Sequence, residues 1–252
     1  MGKIAELTPE KIWRTVTNPW KIPARLSAPP SLSNTHAVLT LFPDLKESEA
    51  KTFRKEFKSD KKFFSELSKN MMEKRHQDAV WGGWYEFMFM VVRFSKPSIM
   101  FETGVFDGQS SAVILRALKK NGKGKLISID LPAVDTIEES THRMRDTTLP
   151  PKCQPGWVIP DYLRDRHELV LGDSKELLPK LFEKYPEIDI FFHDSLHTYE
   201  HQYFEYTAAW PHLKENGLLL SDDIFRSAAL YKFCKEKNRN YVRIVSFGAL
   251  RK

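Results

Sequence analysis

Residues 98–108 read Ser98-Ile99-Met100-Phe101-Glu102-Thr103-Gly104-Val105-Phe106-Asp107-Gly108. Gln109-Ser110-Ser111 follow, and then the helical pattern Ala112-Val113-Ile114-Leu115-Arg116-Ala117-Leu118. An apolar run that ends in an acid, turns on glycines and opens a helix predicts a strand–turn–helix unit. Glycines let a backbone approach a ligand, and the first turn of a helix offers unpaired N–H groups. Such a turn suits a nucleotide-like ligand.

Working outward from this turn, short apolar strands alternate with amphipathic helices. The candidate strands are Ser98–Glu102, Lys125–Asp130, Glu168–Leu171, Ile188–His193 and Leu218–Asp222. The candidate helices are Ser110–Lys120, Lys175–Lys184, Tyr199–Leu213 and Ser227–Lys237. Tyr241–Val245 and Phe247–Leu250 read as two further strands at a sheet edge. The pattern predicts an α/β fold: a doubly wound, mostly parallel seven-stranded sheet with right-handed crossovers and an N-terminal helical extension. Residues 1–95 read as an arm and helical cap, and residues 96–252 as the ligand-binding domain. Thr8-Pro9-Glu10 marks a helix start, residues 19–30 an extended proline-punctuated arm, and residues 47–95 helices. Trp81-Gly82-Gly83-Trp84-Tyr85 interrupts the last of these. Residues 131–165 form an irregular proline-rich insert, the usual place for a substrate wall.

In open parallel sheets the ligand sits outside the carboxyl ends of the strands, at the switch point. Those ends carry Glu102, Asp130, Asp173, Asp194 and the pair Asp222-Asp223. Any one of these could be a helix cap; five at one edge point to a ligand. Asp130 lies 22 residues beyond Gly108, the usual separation of a ribose-binding acid from its glycine turn. The turn reads Gly104-x-x-x-Gly108, without the tight diphosphate turn of G-x-G-x-x-G, so an adenosyl ligand lacking a pyrophosphate fits best.

Composition narrows the partners. The chain has 252 residues, 17 of them Phe and 6 Trp, and a net charge of +6. The pI near 9.1 suits an anionic or phosphate-bearing partner but falls short of a nucleic-acid footprint. Two cysteines, Cys153 and Cys234, give no disulfide framework and suggest a reducing compartment. A charged start with no apolar signal core, and no apolar run long enough to span a bilayer, predict a soluble cytoplasmic protein without a membrane partner.

The motif Glu-Thr-Gly-Val-Phe-Asp-Gly-Gln-Ser-Ser resembles the first motif of class I S-adenosylmethionine-dependent methyltransferases, nearest to the small-molecule O-methyltransferase branch. Leu171-Gly172-Asp173-Ser174 resembles that family's adenine-side motif. Residues 191–223, FFHDSLHTYEHQYFEYTAAWPHLKENGLLLSDD, are similar to the fourth and fifth strands of the macrocin-type and cephalosporin-hydroxylase-like members. The resemblance covers residues 97–252.

It implies the following roles. Glu102 and Gly104 line the methionine and ribose side of the cofactor, with Phe106, Gly108, Ser110, Ser111 and Asp194 as further contacts. Asp130 accepts the ribose hydroxyls, and Asp173 and Ser174 meet the adenine. Asp194, Asp222 and Asp223 match the metal positions, and His197, three residues past Asp194, matches a general base, so that His197 and Asp194 are the catalytic pair. Hard carboxylates without cysteine suit Mg²⁺ or Mn²⁺ better than Zn²⁺, and a histidine titrating near about 6.5 can accept a proton. His193 and His201 compete for the base role, although His193 sits on the strand and points away from Asp194. The expected reaction is metal-assisted O-methylation of a small hydroxylated molecule, a sugar or natural product. The rivals are N-methylation, an RNA methyltransferase and a cephalosporin-hydroxylase-like redox enzyme. Asp194-Ser195-Leu196-His197 stands where base N-methyltransferases carry Asn/Asp-Pro-Pro-Tyr, which argues against nucleic acid. The arm is consistent with a homodimer.

Overall fold

The computed structural model describes residues 21–81, 83–131 and 148–252; the helix start expected at Thr8, Gly82 and the first part of the insert lie outside them. Five helices come first: α1 (Lys21–Leu26), α2 (Asn34–Leu41), α3 (Glu47–Ser59), α4 (Lys61–Arg75) and α5 (Tyr85–Ser95). Then follow β1 (Ile99–Thr103), α6 (Gln109–Asn121), β2 (Lys125–Asp130), β3 (His167–Leu171), α7 (Ser174–Lys184), β4 (Ile188–His193), α8 (Tyr199–Ala209), β5 (Leu213–Ser221), α9 (Ala229–Lys237), β6 (Val242–Ile244) and β7 (Phe247–Arg251). Side chains cap several helices. Ser33 Oγ accepts the His36 N–H at 3.3 Å, Asp60 Oδ1 accepts that of Phe63 at 3.2 Å, and Thr198 Oγ1 accepts that of His201 at 3.3 Å, each pairing an N–H the helix itself leaves free.

The seven strands lie in the order β3-β2-β1-β4-β5-β7-β6, with β7 antiparallel to both neighbours. The chain switches direction of winding between β1 and β4. Register decides what meets at the strand ends: Thr103 pairs with Ile129 and with His193, and His193 pairs with Ser221. The next residue on each strand is therefore Gly104, Asp130, Asp194 or Asp222, in one row across the carboxyl edge.

Alternating strand residues feed two cores. Met100, Leu126, Ile190, Phe192, Leu218 and Leu220 pack with α2 to α6 on one face. Phe101, Ile127, Phe191, Leu219 and Leu250 pack with α7 to α9 on the other. The helices of residues 34–95 therefore share one core with the sheet. Buried Arg116 of α6 ties this face together. Its Nε meets Asp60 Oδ2 at 2.9 Å and Nη2 donates to Glu56 O at 2.7 Å, while its guanidinium lies 4.6 Å from the Phe63 ring and 4.8 Å from Phe89.

Two expectations change. The stretch expected to be extended contains α1, with Pro23 in its first turn, where proline costs no hydrogen bond. The last of the helices expected within residues 47–95 begins only at Tyr85, after Gly83, rather than running through the interruption. The outer side of β6 is already occupied: the Leu32 N–H donates to Arg243 O at 2.8 Å, Arg243 Nε to Pro29 O at 2.7 Å, and the Val245 N–H to Ser31 Oγ at 2.8 Å. Among the described residues no helix is long and apolar enough to cross a membrane.

Phe89 is fully buried among the cap and α6. Phe89→Ala should cost about 3–5 kcal/mol by chemical denaturation. A loss below about 1 kcal/mol would show that the cap and sheet do not form one core.

Candidate active site

The turn after β1 is shaped by contact with the end of β4. Gly104 has φ +82°, and a Cβ there would run into the carbonyl of Asp194. The two backbones are joined by the Asp194 N–H donating to Thr103 O at 2.8 Å, and Gly104 N–H donates to Ile129 O at 2.9 Å. Asp130 then holds the turn: its Oδ2 accepts the N–H groups of Val105 at 2.9 Å and Phe106 at 2.7 Å, and Oδ1 accepts that of Leu131 at 2.7 Å. The expected ribose-binding acid is thus also the brace of the glycine turn. A carboxylate has about four acceptor positions, so capacity remains for a ligand hydroxyl.

Several residues expected at the cofactor are turned inward. Glu102 is fully buried, and its carboxylate accepts Ser110 Oγ at 2.8 Å, Ser111 Oγ at 2.6 Å and Ser128 Oγ at 2.8 Å. It staples β1, β2 and α6 rather than facing the cleft, and it consumes the hydroxyls of Ser110 and Ser111. Burial pushes its carboxyl up to about 7 against the pull of the three hydroxyls. Ser174 is likewise buried, donating to Glu205 Oε1 at 2.6 Å. Glu205, on α8, also accepts from Thr103 Oγ1 at 2.5 Å and pairs with His193 Nδ1 at 2.6 Å and His201 Nε2 at 2.8 Å. Both competing histidines are therefore engaged beneath the strand ends. Burial would raise the Glu205 carboxyl, but the histidines and their hydrogen bonds outweigh it and hold it below the usual range. Asp173 is exposed and caps α7, its Oδ1 accepting the Lys175 N–H at 2.8 Å.

Two of the remaining acids flank His197. His197 Nε2 stands 3.8 Å from Asp194 Oδ1 and 3.6 Å from Asp223 Oδ2. Asp223, at φ +49°, also meets Arg226 Nε at 3.0 Å. Burial, with Asp222, Glu102, Asp223 and Asp130 adding repulsion, holds the Asp194 carboxyl well above its ordinary value. Burial and Asp223 raise Asp222 to about 6, against hydrogen bonds from the Asp223 N–H, Trp84 and Ser246. Burial, then neighbouring His193, pulls the His197 imidazole down to about 4. Its Nδ1 is buried without a hydrogen-bond partner among the described residues. Repelling hard oxygens suit a divalent cation. Their placement does not close on one point: among the described residues no group of three or more His, Cys, Asp or Glu side chains is set to hold a metal ion.

Residues 101–224 match the family model described as a methyltransferase domain, a span that runs from β1 through the acids after β5. Over these residues the chain resembles a methyltransferase domain. Two solved structures share its fold. The SAH-bound methyltransferase PaMTH1 of Podospora anserina is 12% identical, with 100% of this chain and 99% of that one covered at a TM-score of 0.51. The O-methyltransferase of Bacillus cereus in complex with SAH is 13% identical, with 95% and 100% covered at 0.50. No curated protein matches the chain in sequence.

Two further residues near the glycine turn and the strand-end acids were missed by the sequence reading. The Tyr85 ring lies against Trp84, 4.5 Å between centroids and tilted by 52°. Burial, and then Asp194, Asp222, Glu102 and Asp107, drive its phenol far above the ordinary value. The only signal was its position after the Gly-Gly-Trp break. Asp107, buried inside the glycine turn, had no signal at all, because an acid in a turn ordinarily reads as solvated.

Glu102 and Asp222 both have carboxyl values raised by folding. Each contributes stability that is full below its unfolded value and lost as pH rises through the folded one. Wild-type stability should therefore fall between the ordinary glutamate value of 4.5 and about 7. Glu102→Gln, which keeps a neutral side chain of the same shape, should flatten that fall while leaving the part due to Asp222. Denaturation midpoints across this pH range that fall equally steeply in the variant would refute it.

Proposed function

We propose that this protein transfers the methyl group of S-adenosylmethionine to a hydroxyl of a small molecule. The observation that carries the reading is His197 poised between Asp194 and Asp223, next to a β4 end that touches Gly104 of the turn. The base and the cofactor turn thus share one edge. The bound SAH of the two structural neighbours supports the choice of methyl donor.

In this reading the turn from Gly104 to Gly108 receives the cofactor through its backbone, Asp130 offers its spare acceptor positions to the ribose, and Asp173 lies on the adenine side. The acid cluster favours cations, and the sulfonium of the donor is one. The acceptor oxygen attacks the methyl carbon, the C–O bond forms as the C–S bond breaks, and S-adenosylhomocysteine leaves. The hydroxyl proton passes to His197 Nε2. A histidine held neutral by burial is ready to take it, and general-base catalysis of this kind is worth about 10²–10⁴-fold. Tyr85 and Trp84 wall the acceptor side.

Asp194, Asp222 and Asp223 would hold a divalent cation, Mg²⁺ or Mn²⁺, which lowers the pKa of a bound hydroxyl. Their mutual repulsion supports this part of the proposal, and their spread is the reason it needs a test of its own.

One assay addresses both parts: transfer of labelled methyl from S-adenosylmethionine to a panel of small molecules that bear hydroxyl or amino groups. His197→Ala should retain cofactor binding and lose about 10²-fold or more in kcat; full activity would remove the base role. EDTA should abolish transfer and added Mg²⁺ restore it. Undiminished transfer in EDTA would discard the metal and leave the base. Transfer to nitrogen acceptors alone would favour the rival reaction.

A further inference from the structure

Beside the glycine turn lies a set of contacts that the reaction leaves unused. Arg75, the last residue of α4, grips Asp107 with two prongs: Nε to Oδ2 and Nη2 to Oδ1, both at 2.6 Å. Its guanidinium also lies over the Phe106 ring, 4.6 Å from the centroid, and Nη2 donates to Thr148 O at 3.0 Å. From the other side the Trp157 indole N–H donates to Asp107 Oδ1 at 2.7 Å. Backbone contacts follow the same line. The Gly156 N–H donates to Phe106 O at 2.8 Å and the Val158 N–H to Asp107 O at 3.1 Å, while a Cβ on Gly108 would come within 2.6 Å of Gly156 Cα.

These contacts enclose a strained piece of chain. Phe106 has φ +50°, a left-handed conformation that a bulky residue keeps only when its surroundings impose it. The amides of Val105 and Phe106 are aimed at Asp130 as a result. Released from Asp107, the turn would relax and its amides would turn elsewhere.

We propose that Arg75 is a positioning residue for the cofactor. It belongs to the helical cap, touches no reacting atom, and holds the S-adenosylmethionine turn in its binding conformation through Asp107 and Phe106. This rests on the S-adenosylmethionine reading and extends it: the cap and the second half of the insert become determinants of cofactor affinity. A turn held in shape before binding loses little freedom on binding. Lysine cannot replace arginine here, because a point charge neither forks across a carboxylate nor stacks on a ring. By reciprocity, cofactor binding tightens the hold of cap and insert on the turn.

The test is calorimetric titration of S-adenosylhomocysteine into the full-length wild type, Arg75→Lys, Trp157→Phe and Lys214→Met. Lys214 pairs with Asp189 at 2.9 Å at the opposite end of the strands and is the control for loss of an ion pair without contact with the turn. Arg75→Lys should weaken binding about tenfold and Trp157→Phe about threefold, while Lys214→Met keeps the wild-type Kd. Melting temperatures are measured alongside, because a merely structural role would lower Tm and leave the Kd of the folded protein unmoved. Arg75→Lys with a wild-type Kd overturns the proposal, as does a loss in Lys214→Met equal to that in Arg75→Lys. Should Arg75→Lys not fold, Trp157→Phe decides: unchanged affinity overturns the proposal. Absence of binding to the wild type would instead strike the cofactor reading itself.

Discussion

The carboxyl edge of the sheet depends on two backbones coming closer than any side chain allows. Gly104 and Asp194 meet with no room for a Cβ, and the in-register pairing of β1 with β4 brings them there. That approach opens the switch point between the two halves of the winding. The glycine turn hangs from it, and the acids and His197 line up beside it. Asp130 pins the turn from the β2 side and Arg75 holds Asp107 from the cap. The site is thus a small stretch of irregular backbone held on three sides by charged groups, while the sheet itself supplies only the row of strand ends.

Electrostatics at that edge are one-sided. Burial, and then repulsion from neighbouring acids, makes Asp194 and Asp222 hold protons more firmly than carboxyls in water. Such an arrangement costs stability and marks a candidate functional site. Below the edge the opposite logic holds. The Glu205 carboxylate is fully buried yet kept ionised, because histidines and hydroxyls surround it on every strand and helix it touches.

The architecture was legible in the sequence because it follows from periodicity. Apolar runs of two-sided burial give β1, β2, β4 and β5, and the glycines and the Asp173 cap mark the helix starts within a residue or two. The acids at strand ends were legible for the same reason, since a strand end fixes an address. Direction was not. Glu102, Ser110, Ser111 and Ser174 occupy the expected positions but point into the protein, because their partners, Ser128 and Glu205, come from distant stretches that no local pattern reveals. Asp107 was hidden likewise, its partners Arg75 and Trp157 lying 32 and 50 residues away. Pro23 misled in the simplest way: a proline stretch reads as extended until one of the prolines falls in the first turn of a helix.

The strip of chain from Pro29 to Leu32 that lies along β6 has a consequence for how this molecule meets others of its kind. A sheet with open edges invites another strand to join it. Here one edge is spent on the protein's own segment, through Leu32, Ser31 and Arg243. The other edge, β3, carries Glu168 between Lys125 and Lys184. That cluster of charges gives an approaching apolar strand little reason to stay. The sheet therefore ends at both sides by different means, one by occupation and one by charge.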